Sequence, residues 1–211
     1  MLDMGFHDDM VKVASQCPAQ RQTLLFSATF PEGIEQLSRR FLREPQRITV
    51  QAQHAPGKIR QRWYEVTDSQ RLHAVGQVLR HFRPESAMAF CNTKAQCRDV
   101  VSVLQAEGVD ALALHGDLDQ RDRDQVLVQF ANRSCRVLVA TDVAARGLDI
   151  AQLEMVINVD VTPDAEVHVH RIGRTGRAGA TGLAVNLASL DEMGDRKSTR
   201  LNSSHSDRSR M

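Results

Sequence analysis

The sequence predicts an α/β fold, a parallel sheet with helices on both faces. Three observations predict it. From Ile59 onward, short apolar runs of strand length alternate with amphipathic stretches of helical period. The runs are bounded by turn residues, and one of them, Arg136 to Ala140, is apolar without alternation, as in a strand covered on both sides. Polar motifs recur just after the strands, the edge where ligands sit in open α/β sheets.

Gln22 to Ala28 (QTLLFSA) reads as a strand, followed by Pro31 and by Ile34, Leu37, Phe41 and Leu42 at helical spacing. Thr29 and Glu32 have the spacing of a capping box at that helix start. Gln46 to Val50 reads as a further strand, and Gln51 to Lys58, polar and containing Pro56-Gly57, as a linker. The regular series then begins. Strands are expected at Ile59 to Val66, Ser86 to Phe90, Ala111 to Leu114, Arg136 to Ala140, Glu154 to Asn158 and Gly182 to Leu187. Helices are expected at Ser69 to His81, Lys94 to Glu107 with Gly108 as its stop, Leu118 to Phe130, and Asp164 to Arg171. The stripes Val100, Val103, Leu104 and Val126, Leu127, Phe130 are assigned to the core.

This divides the chain into 1–50, a linker at 51–58, a main domain at 59–190 and a tail at 191–211 expected to be disordered. Within the tail, Asp195 to Met211 is rich in serine and arginine and too poor in apolar residues to offset its ordering entropy. It reads either as a disordered RNA-binding tail or, preferably, as translated adapter sequence foreign to the fold.

With 211 residues the chain has ample core for one domain, and its apolar fraction of 42% is that of a soluble globular protein. A net charge of +1 excludes a global electrostatic pull toward nucleic acid or membrane, so any such contact must be local. Cys17, Cys91, Cys97 and Cys135 lack zinc-site spacing, and a reducing cytoplasm fits them. No apolar run approaches the roughly 18 residues of a membrane span, and no signal peptide opens the chain. Aromatic content is 4%, too low for a base-stacking platform.

The chemistry concentrates in His170-Arg171-Ile172-Gly173-Arg174-Thr175-Gly176-Arg177. An arginine keeps its charge near neutral pH, and its planar fork grips phosphate oxygens in pairs. Arginines at this spacing suit charge stabilisation during phosphoryl transfer, and equally a solvated basic patch or an RNA-backbone clamp. Further polar motifs are Ser27-Ala28-Thr29, Phe90-Cys91-Asn92-Thr93-Lys94, Gln120 with Arg123, and Ala140-Thr141-Asp142-Val143-Ala144-Ala145-Arg146-Gly147-Leu148-Asp149.

In this order, these motifs resemble those of the later half of the DEAD-box RNA helicases, from Met1 to about Leu190. The stretches HGDLDQRDRDQVLVQFAN and EVHVHRIGR are most similar to the DbpA type of that family, with His168 where tyrosine is frequent. The resemblance implies a RecA-like helicase C-terminal domain preceded by the edge of a first RecA-like, ATP-binding domain. It implies an ATP-dependent enzyme that unwinds or remodels RNA, acting with Mg²⁺, in the cytoplasm, as a monomer, with ribosome biogenesis as its setting.

By the same resemblance Arg174 and Arg177 are arginine fingers reaching ATP held by the first domain. Arg146, Gly147 and Asp149 join them at the nucleotide, Asp149 accepting from the ribose; Asp149 could equally cap its turn. Ser27, Ala28, Thr29, Asp142, His170 and Arg171 would couple the domains. For Thr29 the alternative is helix capping, and for Arg171 a buried ion pair. RNA contacts fall to Asn92, Thr93, Lys94, Gly116, Asp117, Gln120, Arg123 and Thr141, which suit backbone rather than sequence readout. Lys94 could instead be a solvated helix start. Gln120 and Arg123, three apart, share a helix face. No phosphate loop, acidic box or upstream glutamine motif occurs in the 211 residues. Those segments carry the Mg²⁺ ligands in the family, so this chain alone is expected to be inactive, and the C-terminal RNA-recognition domain of DbpA-type enzymes is likewise absent. The alternative is a non-catalytic RNA-backbone binding module.

Overall fold

The computed structural model describes residues 7–26, 38–39, 41–49, 59–148, 150, 153–176, 180–194 and 207–210. It forms two compact units, Met1–Ala52 and Gln53–Met211.

In the first unit, His7–Gln16 forms a helix, α1, which the sequence reading had not drawn. Asp8 and Asp9 lie in its first turn, where a helix dipole favours negative charge. The strands expected at Gln22 to Ala28 and Gln46 to Val50 do not form in their described parts, 22–26 and 46–49. A strand needs a neighbour to take its N–H and C=O groups, and the described residues of this unit offer none. Leu24, Phe26 and Ile48 are accordingly 65%, 88% and 84% exposed. Of the helix expected after Pro31, Ser38, Arg39 and Phe41 are described and helical, and the Leu42 N–H donates to the Ser38 carbonyl at 2.8 Å; the proposed cap at Thr29 lies outside the described residues.

The second unit is built on β1 (Ile59–Glu65), β2 (Ala87–Cys91), β3 (Ala111–Leu114), β4 (Val137–Thr141), β5 (Met155–Asn158) and β6 (Gly182–Ala188). These six strands run in the order β3-β4-β2-β5-β6-β1, every pair parallel. The helices between them are α2 (Asp68–Phe82), α3 (Lys94–Ala106), α4 (Gln120–Ala131), α5 (Asp142–Ala145) and α6 (Ala165–Ile172). Three of the starts have a side-chain cap. The Thr93 hydroxyl accepts from the Gln96 N–H at 3.2 Å, and the Asp164 carboxylate accepts from the N–H groups of Glu166 and Val167. Asp119 caps α4 through the Asp122 N–H at 2.7 Å, so this helix begins two residues later than its apolar period suggested. Gly108 ends α3 with φ +74°, a left-handed conformation that glycine adopts at little cost.

Alternation along β2 divides the core. Ala87, Ala89 and Cys91 pack with Val75 and Leu79 of α2 and Val100 and Leu104 of α3. Met88 and Phe90 point the other way, to Phe130 of α4 and to Ala144 and Ala145 of α5. Each large side chain buried this way contributes about 1.5–3 kcal/mol. The sheet is therefore covered on both faces and only its strand ends are open to chemistry.

The expectation of a structureless tail after residue 190 is corrected twice. Leu190–Gly194 forms a short helix, α7. Its start is a capping pair: the Ser189 N–H donates to Glu192 Oε2 at 2.7 Å and the Glu192 N–H to the Ser189 hydroxyl at 3.4 Å. Asp207–Arg210 forms a last strand, β7, parallel to β1. Without it β1 would be an edge strand with one row of unpaired backbone groups, and such a row accepts an extended segment even of polar composition.

Gly182 opens β6 against a fixed wall. A Cβ there would lie 2.3 Å from Thr175 Oγ1 and 2.6 Å from the Gly176 nitrogen. Thr175 cannot turn away, because its hydroxyl donates to the Leu153 carbonyl. Gly182→Ala should cost about 1–3 kcal/mol, roughly 2–12 °C in a thermal melt. An unchanged midpoint would show that the wall gives way.

Candidate functional site

Strand order decides what meets at the carboxyl edge of the sheet. Because β3, β4, β2 and β5 are consecutive neighbours, the segments after them are neighbours as well. These are Gly116-Asp117, Thr141-Asp142, Asn92-Thr93-Lys94 and Asp160, residues from distant parts of the sequence.

Arg171 of α6 ties three of these ends together, and it is 1% exposed. Its Nε and Nη2 donate to the two oxygens of Asp142, each at 2.7 Å, a bidentate ion pair. Its Nη1 donates to the Asp160 carbonyl at 2.6 Å, and its Nη2 also reaches Asn92 Oδ1 at 3.0 Å. The guanidinium lies 5.3 Å from the centre of the Phe90 ring. Of the two roles the sequence left open for Arg171, the structure shows the buried ion pair, and Asp142 is its partner.

A second buried arginine, Arg71 of α2, was missed in the sequence. Its Nη1 donates to the Val159 carbonyl at 2.9 Å and lies 3.6 Å from Asp160 Oδ1. Its Nη2 donates to Asp68 Oδ1 at 3.1 Å and to Glu192 Oε2 at 2.9 Å. Burial alone would lower its pKa, but the carboxylates of Glu192, Asp68 and Asp160 outweigh burial and raise it. Burial likewise opposes the charge on Glu192, yet the Ser189 N–H and Arg71 hold that carboxyl below its ordinary range. The spacing Asp68-x-x-Arg71 and the Ser189-x-x-Glu192 box are signals that could have found this cluster.

Asp160 joins the two arginines. Its Oδ2 accepts from the Asn92 N–H at 2.9 Å and its Oδ1 from Gln96 Nε2 at 2.8 Å. Neither Asp160 nor Gln96 stood out by type or spacing. Asn158 and Asn186, both fully buried, add a hydrogen bond of 2.7 Å between β5 and β6.

The proposed RNA-contact residues are only partly brought together. Lys94 forms an ion pair with Asp117, linking the turns after β2 and β3, and Arg98 lies 3.6 Å from the same carboxylate. The Lys94 ammonium holds the Asp117 carboxyl below its ordinary range. Lys94 stays about half exposed at the helix start, so the ion pair leaves both of its readings open. A Cβ at Gly116 would meet nothing within 4 Å, so its backbone is open to an approaching group. Gln120 and Arg123 take different partners. Gln120 donates along its own helix to Asp124 at 2.8 Å, while Arg123 Nη2 reaches the Ala144 carbonyl at 2.7 Å and braces α5. Thr141 is buried at the end of β4, and its side chain does not cap α5.

Of the residues expected at a nucleotide, Arg174 is half-buried and its Nη1 donates to the Leu148 carbonyl at 2.9 Å. That bond sets it against the turn of Arg146 and Gly147, both exposed, with Gly147 at φ +71°. His170 is exposed on α6. Ser27, Ala28, Thr29, Asp149 and Arg177 lie outside the described residues. Among the described residues no group of three or more acidic, histidine or cysteine side chains could hold a metal ion.

The thiols play no visible part. Cys91, Cys97 and Cys135 are buried and unbridged. A hydrogen bond with Cys97, and burial, push the Cys91 thiol up, so it stays protonated. Among the described residues no helix is long and apolar enough to cross a membrane.

A parallel sheet with an arginine-braced carboxyl edge defines a class, and comparison identifies it. Residues 70–179 match the model of the helicase conserved C-terminal domain. The chain belongs to that family, and the curated relatives it matches are DEAD-box RNA helicases. It is 52% identical over 192 residues to the ATP-dependent RNA helicase DbpA of Escherichia coli, covering 91% of this chain and 42% of the relative. It is 43% identical over 195 residues to the DEAD-box ATP-dependent RNA helicase CshA of Geobacillus kaustophilus, covering 92% of this chain and 42% of the relative. The chain thus spans about two fifths of the length of the curated relatives it matches. Its fold is that of the S. cerevisiae Dbp5 structure bound to RNA and ADP BeF3 (TM-score 0.81, 26% identity, 98% of this chain and 56% of that one). A DEAD box protein from Methanococcus jannaschii also matches (TM-score 0.65, 32% identity, 100% and 57%).

The Arg71 cluster makes a pH-dependent contribution. Glu192 titrates lower in the folded chain than the ordinary value of about 4.3. Its stabilisation is therefore complete above that pH and is lost as pH falls through the folded value. Urea midpoints measured between about pH 5 and pH 3 should fall more steeply for the native chain than for Glu192→Gln. Parallel profiles would remove Glu192 from the stabilising cluster.

Proposed function

We propose that this chain works as the finger-supplying, RNA-gripping domain of an ATP-dependent RNA helicase, coupling ATP hydrolysis to RNA unwinding or remodelling. The observation that carries the proposal is the shared edge: one buried arginine, Arg171, braces both the turn of Asn92 and the segment of Asp142 that leads to Arg146. On one side of this brace, Arg174 and Arg177 would meet the phosphates of ATP and Asp149 its ribose. On the other side, the Gly116 backbone, Thr93, Lys94 and Thr141 would meet RNA phosphates.

The described residues suit phosphate but not the metal, since arginines are present and no carboxylate cluster is. ATP and Mg²⁺ would therefore be held by a second RecA-like domain, and this chain by itself should not hydrolyse ATP. Arg174 would have to leave the Leu148 carbonyl to reach a nucleotide. Buried, unbridged cysteines fit a cytoplasmic setting, and we assign the chain to a monomeric enzyme.

Two experiments test this. In a protein that joins this chain to a nucleotide-binding RecA-like domain, Arg174→Ala should lower RNA-stimulated ATP turnover by about 10³-fold or more. Unchanged turnover would remove Arg174 from the nucleotide. For the chain alone, affinity for single-stranded RNA should fall with salt, with a log–log slope of about −0.7 per phosphate contacted, for a few phosphates. Binding with that slope but no ATPase in the joined protein would leave the chain a non-catalytic RNA-binding module. No binding at low salt would reject the RNA surface.

A further inference from the structure

We infer that Asp160 is a positioning residue that transmits RNA contact at the Asn92–Lys94 turn to the arginine-bearing helix α6. The inference rests on the RNA reading above and assigns a role to a residue outside the motifs that suggested it.

Asp160 faces both parties at once. Its carboxylate holds the turn from two sides, accepting from the Asn92 N–H at 2.9 Å and from Gln96 Nε2 at 2.8 Å. Its own carbonyl accepts from Arg171 Nη1 at 2.6 Å. Asn92 closes the loop by accepting from Arg171 Nη2 at 3.0 Å. A shift of the Asn92 backbone therefore cannot occur without moving an acceptor of Arg171. Arg171 in turn is clamped to Asp142 by two bonds, so its displacement must be passed along α6 or into α5. Arg174 lies one helical turn further on, and its N–H donates to the Arg171 carbonyl at 3.1 Å. On its far side Asp160 is steadied by Arg71, whose Nη1 lies 3.6 Å from Oδ1. The carboxylate is mostly enclosed, at 13% exposure, although its Asn92 partner lies at the surface, so it links an exposed turn to a buried guanidinium.

The geometry also requires a carboxylate. Two donors and a guanidinium converge on it, and an amide would present N–H to one of them. Asp160→Asn should thus break one of the two ties to the turn while conserving volume. Gln96→Ala removes one tie from the other side, at a partly buried helix position outside both proposed binding sets.

The test is NMR of this chain titrated with oligouridylate. The Arg171 Nε–H, held by Asp142, is the reporter for α6, and the amides of Lys94 and Gly116 report RNA at the surface. In the native chain all three should shift with RNA. In Asp160→Asn, Lys94 and Gly116 should still shift while the Arg171 response is lost. Should that variant fail to fold, Gln96→Ala must show the same loss. A purely structural role would alter the resting Arg171 resonance without abolishing its response. An Arg171 response of native size in both variants, or an Arg171 that stays silent while Lys94 and Gly116 move in the native chain, overturns the inference. If Lys94 and Gly116 do not move either, the RNA reading has failed and the inference falls with it.

Discussion

A guanidinium at the bottom of a dry edge governs this domain. Arg171 has almost no contact with water, and an uncompensated charge in such a place would be prohibitively costly. It is tolerated because Asp142, Asp160 and Asn92 come to it from three strand ends and take its donors. The requirement works in both directions. The strands place the acceptors, and the arginine then holds the segments after β2, β4 and β5 in one arrangement. Buried ion pairs add little net stability compared with well-packed apolar groups, but removing one partner costs several kcal/mol. The pair is better understood as fixing a geometry than as strengthening the core.

From that geometry the two halves of the proposed function follow. Among the described residues, those proposed to face RNA and those proposed to face nucleotide belong to neighbouring segments of one edge, and Arg171 braces both. Arg71 repeats the device one layer out, tying α2 and α7 to the ends of β5 and β6. With Asp160 between them, the two arginines form a polar seam at the carboxyl edge of the sheet. Such a seam converts small displacements at the surface into changed hydrogen bonds rather than diffuse relaxation. In the Dbp5 structure of the same fold, RNA and a nucleotide analogue are bound together.

Much of this was legible in the sequence, because the motifs are local. The alternation of apolar runs placed the six main strands to within a residue or two, and the turns after them announced the functional edge. What was not legible depends on distance along the chain or on side chains acting against type. Asp160 and Arg71 are separated by most of the domain, and each alone looks like an ordinary surface charge. Gln120 and Arg123 share a spacing that suggested a common task, but Arg123 is drawn to the Ala144 carbonyl by tertiary contact. The apolar runs near Leu24 and Ile48 carry strand propensity that is not realised in their described parts, where no neighbour among the described residues takes their backbone groups. α7 escaped notice because its cap, Ser189 with Glu192, lies beside a tail of low complexity.

The central claim is that Arg171 and Asp142 form one coupled unit on which the edge depends. A double-mutant cycle in urea, with Arg171→Met, Asp142→Leu and the pair together, measures this directly. Asp142→Leu should destabilise by about 3–5 kcal/mol, since it leaves the buried guanidinium without its carboxylate, and Arg171→Met by less, since Asp142 is partly exposed. The double change should cost far less than their sum, with a coupling of about 2 kcal/mol or more. Additivity to within about 0.5 kcal/mol would contradict the account, for it would mean that the two charges do not depend on each other.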